Sequence, residues 1–264
     1  MRRRKAVFLD IDGTLITRDK GPFEEDRKAI EEAAGKGHLL FLNTGRSFSI
    51  IPPALLELGS IRGIAAGGGA HILLSASVPD GNPRYETIYR KFFSETELEK
   101  IFTGYEGRSL CCFLEGERDC YAINKTSWIF AEKTPILVSS LEDFKRKSSG
   151  DFITKLTLDR LATEKDRLLL EPFCRINNFT NYSEGIIKGE DKAKAIRFIL
   201  AKFGIKREDS IAIGDSANDL DMIRFAGLGI AMGNACAELK AAAGAITGDC
   251  GKGGVAEALG KFAS

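Results

Sequence analysis

Short apolar runs, each followed by a helix-like stretch, constrain the fold of this chain most strongly. Residues 5–10 read KAVFLD, residues 38–43 read HLLFLN and residues 61–66 read IRGIAA. Runs of this length that end in turns are typical of buried strands, and the stretches between them have the spacing and the end signals of helices. Alternating strands and helices favour parallel pairing with right-handed crossovers. The pattern therefore predicts an α/β domain built around a parallel sheet.

The middle of the chain has a different pattern. Residues 77–83 read SVPDGNP, a turn-rich stretch typical of a boundary. Beyond it, strand-like and helix-like pieces alternate in the manner of an α+β domain, and the α/β pattern returns further along. We therefore predict an α/β core made of residues 1–81 and 184–264, with a second domain of residues 82–183 inserted into it.

Composition excludes several classes of function. The chain has 264 residues, 38 basic and 37 acidic, and a formal net charge of +1. Such a balance predicts no nucleic-acid partner and no membrane surface. The six cysteines form no CxxC pair, which indicates a reduced, cytoplasmic protein. With two histidines in the whole chain, we expect any catalysis to depend on carboxylates.

Polar residues follow three of the predicted strands. Because the carboxyl ends of parallel strands meet at one edge of a sheet, these residues are expected to lie together. The first strand ends in two acids that interrupt an apolar run, and buried carboxylates are costly unless they are paired, hydrogen-bonded or bound to a metal. The residues of this edge are Asp10, Asp12, Asn43, Thr44, Gly45, Arg46, Asp215, Asn218 and Asp219, with Lys192 at the start of the helix before the third strand.

This set of side chains suits phosphoryl transfer. Magnesium prefers oxygen ligands such as carboxylates, and an aspartate can attack phosphorus to form an acyl-phosphate. The attack needs cations and hydrogen-bond donors around the phosphoryl oxygens. Lys192, Thr44 and Asn218 are of the right chemical types to supply them.

Four segments resemble the motifs of the haloacid dehalogenase superfamily, in the right order. DIDGTL (10–15) resembles the first motif, LNTGR (42–46) the second, GEDKAKAI (189–196) the third and GDSANDLDM (214–222) the fourth. Within the superfamily the chain is most similar to Cof-type sugar phosphatases of subfamily IIB. The resemblance implies a Rossmann-like core with a parallel sheet, an inserted α+β cap of the C2B type that sets specificity, and a phosphatase that uses Mg²⁺.

The resemblance also implies roles for the acids. Asp10 is the expected nucleophile and a magnesium ligand. Asp12 is expected to protonate the leaving alkoxide and then to deprotonate the attacking water, while its backbone carbonyl touches the metal. Asp215 is an expected direct ligand, and Asp219 is expected to support the metal through water or a neighbouring ligand.

A second group of residues is expected to hold the phosphoryl group or the substrate. Lys192 would also restrain Asp10, and Gly13 would permit the sharp turn after the first strand. Arg46 is either a substrate contact or part of a structural ion pair, and Asn218 caps a helix, touches substrate or does both. The expected phosphate- or substrate-binding residues are Gly13, Thr44, Gly45, Arg46, Lys192 and Asn218.

The chain departs from the family pattern at one place, and it leaves some alternatives open. The family often has Asn-Gly-Ala after the third strand, whereas this chain has Gly68-Gly69-Ala70. Tyr85, Tyr121 and Trp128 either stack on a sugar or pack within the cap. The expected partner is a small phosphorylated metabolite, and the expected state is a monomer or weak homodimer. A phosphohexomutase of the same fold and a non-catalytic phosphate-ligand sensor are the alternative functions.

Overall fold

The chain divides into two compact units. The computed structural model describes residues 3–17, 21–76, 84–108, 110–125 and 133–263. The first unit comprises Met1–Gly45, Pro53–Ile88 and Asp191–Ser264, and the second comprises Arg46–Pro52 and Tyr89–Glu190. The predicted boundary at 77–83 and Trp128 lie outside the described residues.

The described ranges contain strands, α-helices and short 3₁₀ turns. The strands are β1 (Ala6–Leu9), β2 (Leu39–Asn43), β3 (Ile61–Ala66), β4 (His71–Ala76), β5 (Arg84–Arg90), β6 (Cys112–Gly116), β7 (Cys120–Ile123), β8 (Ile136–Val138), β9 (Ile153–Leu158), β10 (Cys174–Asn178), β11 (Ser183–Ile187), β12 (Ser210–Gly214), β13 (Leu228–Ala231) and β14 (Ala245–Ile246). The helices are α1 (Glu24–Gly35), α2 (Pro53–Leu56), α3 (Glu95–Tyr105), α4 (Leu141–Ser148), α5 (Glu164–Leu170), α6 (Lys192–Phe203), α7 (Leu220–Phe225), α8 (Ala237–Ala242) and α9 (Gly254–Phe262). The 3₁₀ turns are Phe48–Ile50, Gly67–Gly69, Arg207–Asp209 and Ala217–Asp219.

The first unit is built on a sheet with the strand order β14-β13-β12-β1-β2-β3-β4-β5. The pairs from β14 to β3 are parallel, and β4 is antiparallel to β3. All four residues of β1 are buried, which matches its continuous apolar sequence, because a central parallel strand is covered on both faces. Phe8 of β1 stacks on Phe41 of β2 with ring centroids 5.1 Å apart. The predicted α/β domain with a parallel sheet is confirmed.

The helix after β2 is very short. α2 is a single turn, Pro53–Leu56. The residues before it, Phe48–Ile50, form a 3₁₀ turn that belongs to the second unit. The proline pair Pro52-Pro53 explains the break, because a residue before proline is pushed out of the helical region.

The second unit is built on a sheet with the strand order β10-β11-β9-β6-β7-β8. Its pairs are antiparallel except for β7 with β8. The expected α+β character of this part is confirmed. However, β11 pairs with β9 and β10, so the α/β pattern does not return at residue 184 as expected. The second unit comprises Arg46–Pro52 and Tyr89–Glu190, whereas the inserted domain was predicted over residues 82–183.

Within the described ranges, each helix is too short or too polar to cross a membrane.

Candidate active site

Asp10 lies directly after β1, at the carboxyl edge of the first unit's sheet. The register that pairs Leu9 with Ile213 places Asp10 beside the end of β12. The backbone N–H of Asp10 continues the ladder, because it donates to the Ile213 carbonyl at 3.0 Å. The side chain of Asp10 is almost fully buried, so its carboxylate needs a partner.

Lys192 is that partner. Its Nζ lies 2.5 Å from Asp10 Oδ1 and 2.5 Å from Asp219 Oδ1. Lys192 is the first residue of α6, whose N-terminus is capped by the Asp191 carboxylate accepting from the Lys194 N–H at 2.6 Å. The Asn43 amide, at the end of β2, donates to the Lys192 carbonyl at 3.0 Å. The start of α6 is thus fixed to the sheet edge, and one ammonium joins two acids from different segments.

Asp219 organises the loop that follows β12. Its Oδ2 accepts from the backbone N–H groups of Asp215 at 3.0 Å and Ser216 at 3.1 Å. A β-carbon at Gly214 would lie 2.6 Å from the Asp219 carboxyl carbon, so this tight loop requires glycine there. Both oxygens of Asp219 therefore have partners, the Lys192 ammonium at Oδ1 and the loop backbone at Oδ2.

The three buried or half-buried acids form a cluster that fits a divalent cation. One carboxylate oxygen each from Asp10, Asp215 and Asp219 lies within 4.8 Å of the others. Oδ1 of Asp215 is buried without a hydrogen-bond partner among the described residues, which is the state of an oxygen directed at a cation. A set of carboxylate oxygens without histidine or cysteine suits Mg²⁺ rather than Zn²⁺.

Electrostatics support the same interpretation. Burial and then the charge of Asp219 raise the pKa of Asp215 from 3.8 to about 7. Burial and then the charge of Asp219 also raise the pKa of Asp10 well above its ordinary value, although Lys192 opposes the shift. Burial alone would lower the pKa of Lys192, but the carboxylates of Asp10 and Asp219 outweigh it and raise that pKa. The cluster thus holds more negative charge than one ammonium neutralises, and a bound cation would stabilise the ionised acids.

Asp12 and Gly13 lie in the turn after β1. The side chain of Asp12 is exposed, and it does not belong to the cluster of three acids. Its charge nevertheless raises the pKa of Asp215. Gly13 has φ +76°, in the left-handed region, so the turn needs glycine. The Gly13 N–H donates to the Ile16 carbonyl at 2.8 Å, which closes the turn.

Thr44 and Gly45 follow β2 at the same sheet edge. Thr44 is buried, its N–H donates to the Ala65 carbonyl at 2.8 Å, and its carbonyl accepts from the Gly68 N–H at 3.0 Å. Gly68, where the family often has asparagine, has φ +64°. Asparagine is the residue other than glycine that best tolerates this region. The backbone of the turn is therefore compatible with either residue, and only the amide group is missing.

Two predicted substrate contacts, Arg46 and Asn218, have hydrogen-bond partners close by in sequence. Arg46 is the first residue of the second unit, where its guanidinium donates to the Ile50 carbonyl at 3.0 Å. Asn218 lies in the 3₁₀ turn after β12, and its Oδ1 accepts from the Ser216 hydroxyl at 2.7 Å. A role for either residue in substrate binding stays a prediction.

Tyr85 and Tyr121, the two tyrosines predicted to stack on a sugar or to pack within the cap, both make hydrogen bonds to other residues of their own unit. The Tyr85 hydroxyl donates to the Leu56 carbonyl at 3.3 Å. Tyr121 is buried in the second unit, and its hydroxyl donates to Asp151 Oδ2 at 3.1 Å. These contacts favour a structural role for both residues over sugar stacking.

Two residues that support the site, Asp191 and Asn234, were not predicted from the sequence. Asn234 follows β13, the neighbour of β12 in the sheet, and its Nδ2 donates to the Gly13 carbonyl at 2.9 Å. The rule that polar groups collect after strand ends also applies to the Gly-Asn pair after β13, and would have identified this residue.

Known proteins match nearly the whole chain. The profile of the haloacid dehalogenase-like hydrolases matches residues 7–259. The chain is 27% identical over 257 residues to the 5-amino-6-(5-phospho-D-ribitylamino)uracil phosphatase YcsE of Bacillus subtilis, with 97% of this chain and 94% of the relative covered. It is 28% identical over 280 residues to YwtE, a phosphatase of the same description from the same organism, with 96% of each covered.

Solved structures give the same result. The haloacid dehalogenase subclass IIB sugar phosphatase BT4131 is 28% identical, with a TM-score of 0.78 and 98% of each chain covered. The predicted resemblance and fold class are therefore confirmed. The chain belongs to the haloacid dehalogenase-like hydrolases, and it is a phosphatase of that family.

Proposed function

We propose that this phosphatase hydrolyses a small phosphomonoester, a sugar phosphate in the first instance, with Mg²⁺ and through a phosphorylated Asp10. The observation that carries the proposal is the ammonium of Lys192, 2.5 Å from Asp10 Oδ1 and 2.5 Å from Asp219 Oδ1 inside an all-oxygen cluster. A lysine in this place restrains a carboxylate and offers positive charge to phosphoryl oxygens.

Asp10 is the proposed nucleophile. Lys192 donates to Oδ1, which leaves Oδ2 to attack phosphorus. Because the side chain is buried, the orientation of Oδ2 is restricted. Attack forms the bond between Oδ2 and phosphorus and breaks the bond from phosphorus to the substrate oxygen. Water then cleaves the acyl-phosphate, so that one difficult hydrolysis becomes two easier steps.

Asp12 is the proposed general acid and base. It lies two residues beyond the nucleophile, and its side chain is exposed. An exposed side chain suits a group that must exchange protons with a leaving alkoxide and with water. It would protonate the leaving alkoxide in the first step and take a proton from the attacking water in the second.

Asp10 and Asp215 are the proposed direct ligands of Mg²⁺, together with the backbone carbonyl of Asp12. Asp219 is proposed to act through Lys192 and the loop, because its two oxygens already accept hydrogen bonds. Bound Mg²⁺ would offset the negative charge of the phosphoryl oxygens. Thr44, Gly45, Asn218 and the turn at Gly13 are proposed to supply hydrogen-bond donors to the same oxygens.

The substrate class rests on similarity. The two Bacillus relatives are named for a phosphorylated ribitylamino compound, and the solved relative is named a sugar phosphatase. All three names describe a phosphate group on a small molecule. In the two Bacillus names, this phosphate is carried by a polyhydroxylated ribityl chain. We propose that the second unit selects among such molecules while the first unit performs the chemistry, and that the protein is cytoplasmic.

A phosphate-release screen tests the proposal. The purified chain with MgCl₂ is assayed on an aryl phosphate and on a panel of phosphorylated sugars and sugar alcohols, with Asp10→Asn as the control. We expect release from several sugar phosphates, and near-complete loss in the variant because an amide cannot form the acyl-phosphate. Near-normal release by Asp10→Asn would refute the assignment of the nucleophile. Conversion of a hexose 1-phosphate to its 6-phosphate, without release, would indicate the mutase instead.

A further inference from the structure

Asn234 contacts two strand-end loops of the site and holds one oxygen of a proposed metal ligand. Its Nδ2 donates to the Gly13 carbonyl at 2.9 Å and lies 3.5 Å from Asp215 Oδ2. Its Oδ1 accepts from the Cys250 N–H at 2.7 Å. We propose that Asn234 is a positioning residue that fixes the Asp215 carboxylate, so that Oδ2 faces the amide and Oδ1 faces the cation. This inference rests on the proposed function.

The backbone around Asn234 holds the same loop. The Met232 N–H donates to the Gly214 carbonyl at 2.9 Å, and the Cys236 N–H donates to the Asp215 carbonyl at 3.0 Å. The segment after β13 therefore holds the main chain on both sides of the Cα of Asp215. The amide of Asn234 adds a contact from this segment to the side chain, and this contact determines which way the carboxylate turns.

Gly13 makes the placement of Asp215 sensitive to small shifts. A β-carbon on Gly13 would lie 2.1 Å from Asp215 Oδ2, so the glycine backbone and the carboxylate are in close contact. Asn234 is bonded to the carbonyl of that same glycine. By holding Gly13 and Asp215 with a single NH₂ group, it sets the distance between the turn after β1 and the loop after β12.

The two oxygens of the Asp215 carboxylate have different surroundings, and this difference supports the inference. Oδ2 has the amide beside it, whereas Oδ1 is buried without a hydrogen-bond partner among the described residues. A carboxylate that is held at one oxygen presents the other in a fixed direction. Groups that orient metal ligands in this way typically change metal affinity by about 10- to 100-fold when they are removed.

A purely structural role would give a different result. If Asn234 only connected the loop at Cys250 to the turn at Gly13, its removal would lower the unfolding temperature and leave Mg²⁺ affinity unchanged. Mg²⁺ affinity in the absence of substrate is therefore the measurement that separates the two roles.

The experiment is calorimetric titration of the full chain with MgCl₂ alone, for the wild type, Asn234→Ala and Asn234→Ser. Neither substituted side chain can reach both Gly13 and Asp215. We expect Mg²⁺ affinity to fall by at least about 10-fold in each variant. The matched control is Asn124→Ala in the second unit, where an asparagine donates to the Tyr105 and Leu110 carbonyls at 2.8 Å each. This control should bind Mg²⁺ as the wild type does.

The outcomes are distinct. Wild-type affinity in a folded Asn234 variant would overturn this inference and leave the proposed function standing. Failure of both variants to fold, judged by circular dichroism, would also overturn it, because Asn234 would then serve the fold. Absence of Mg²⁺ binding in the wild type would instead refute the proposed function itself.

Discussion

Gly13 and Asp215 are in such close contact that a β-carbon on Gly13 would lie 2.1 Å from Asp215 Oδ2. Gly13 also has φ +76°. An alanine would therefore be strained in its backbone and would displace the carboxylate. We expect Gly13→Ala to lower turnover on an aryl phosphate by about 100-fold, the effect of a displacement of about 1 Å near a reacting centre.

The control for this variant is Gly35→Ala in α1, where a β-carbon would meet nothing within 4 Å. It should retain full turnover. Its stability should equal or slightly exceed that of the wild type, because alanine has a higher helix propensity than glycine. Equal turnover in both variants would show that the contact between Gly13 and Asp215 has no part in catalysis.

Lys192 and Lys194 provide a test of the helix register. Lys192→Met removes the ammonium that joins Asp10 to Asp219, so we expect turnover to be nearly abolished. Lys194 is two residues further along α6, in the same GEDKAKAI segment. Lys194→Met should keep most of the turnover. A larger loss in the Lys194 variant, measured by phosphate release, would reverse the assignment.

The cluster of three acids predicts metal selectivity. EDTA should abolish phosphate release, and added Mg²⁺ should restore it, because hard oxygen ligands suit magnesium. Zn²⁺ at the same free concentration should restore little activity. Full restoration by Zn²⁺ alone would contradict the assignment of Asp10 and Asp215 as the ligands.

Lys155 is the buried cation of the second unit's sheet. Its Nζ lies 2.6 Å from Glu184 Oε1 and 3.5 Å from Glu115 Oε1, and Lys155 and Glu115 are both buried. Lys155→Met leaves two carboxylates without their cation, so we expect the free energy of unfolding at pH 7 to fall by about 3–5 kcal/mol. Urea unfolding measures the change. Lys100→Met, at an exposed position of α3, should change stability by no more than about 0.5 kcal/mol, and a similarly small change for Lys155→Met would contradict the prediction.

Asp166 makes stability depend on acid pH. Burial alone would raise its pKa, but hydrogen bonds from Arg160 and Thr163 lower that pKa from 3.8 to about 2. Because the folded state favours the ionised form, the stabilisation is present in full above the unfolded pKa. It is lost as the pH falls from about 4 to about 2.

Asp166→Asn should therefore be less stable than the wild type at pH 7, and the difference should shrink below about pH 4. Thermal unfolding across this pH range measures the difference, and Glu106→Gln, at an exposed position, is the control. A gap between wild type and Asp166→Asn that stays constant from pH 7 to pH 3 would contradict the linkage.

The positions of most residues of the candidate site could be predicted, because these residues lie directly after the ends of parallel strands. Asp10, Thr44 and Asp215 each follow a buried apolar run, and parallel pairing brings such positions together whatever the helices between them do. Lys192 could be placed through its motif. Its role as a bridge between Asp10 and Asp219 needed the structure, since no local pattern encodes a contact across 182 residues.

The remaining differences have physical causes. Residues 183–187 (SEGII) form one short strand-like run, and such a run fits a strand of either sheet until its hydrogen-bond partners are known. Arg46 follows Gly45 directly in sequence but belongs to the other unit, because Ile50 packs with Phe113 and Cys120 of the second unit's sheet. Contacts distant in sequence decided both cases, strand pairing in the first and side-chain packing in the second.

The pairing of β1 with β12 also bears on how the chain folds as it is synthesised. Ala6 pairs with Ser210, so one edge of β1 has no partner until the ribosome has passed the whole of the second unit. The second unit, complete at Glu190, can fold before the sheet of the first unit closes. Until then Val7, Phe8 and Leu9, which are buried in the finished protein, lie on an open strand edge. The time for which a nascent chain is prone to aggregate through this edge is therefore set by how long the ribosome takes to synthesise the segment between Leu9 and Ser210. The second unit lengthens this time, although β1 pairs only with β2 and β12.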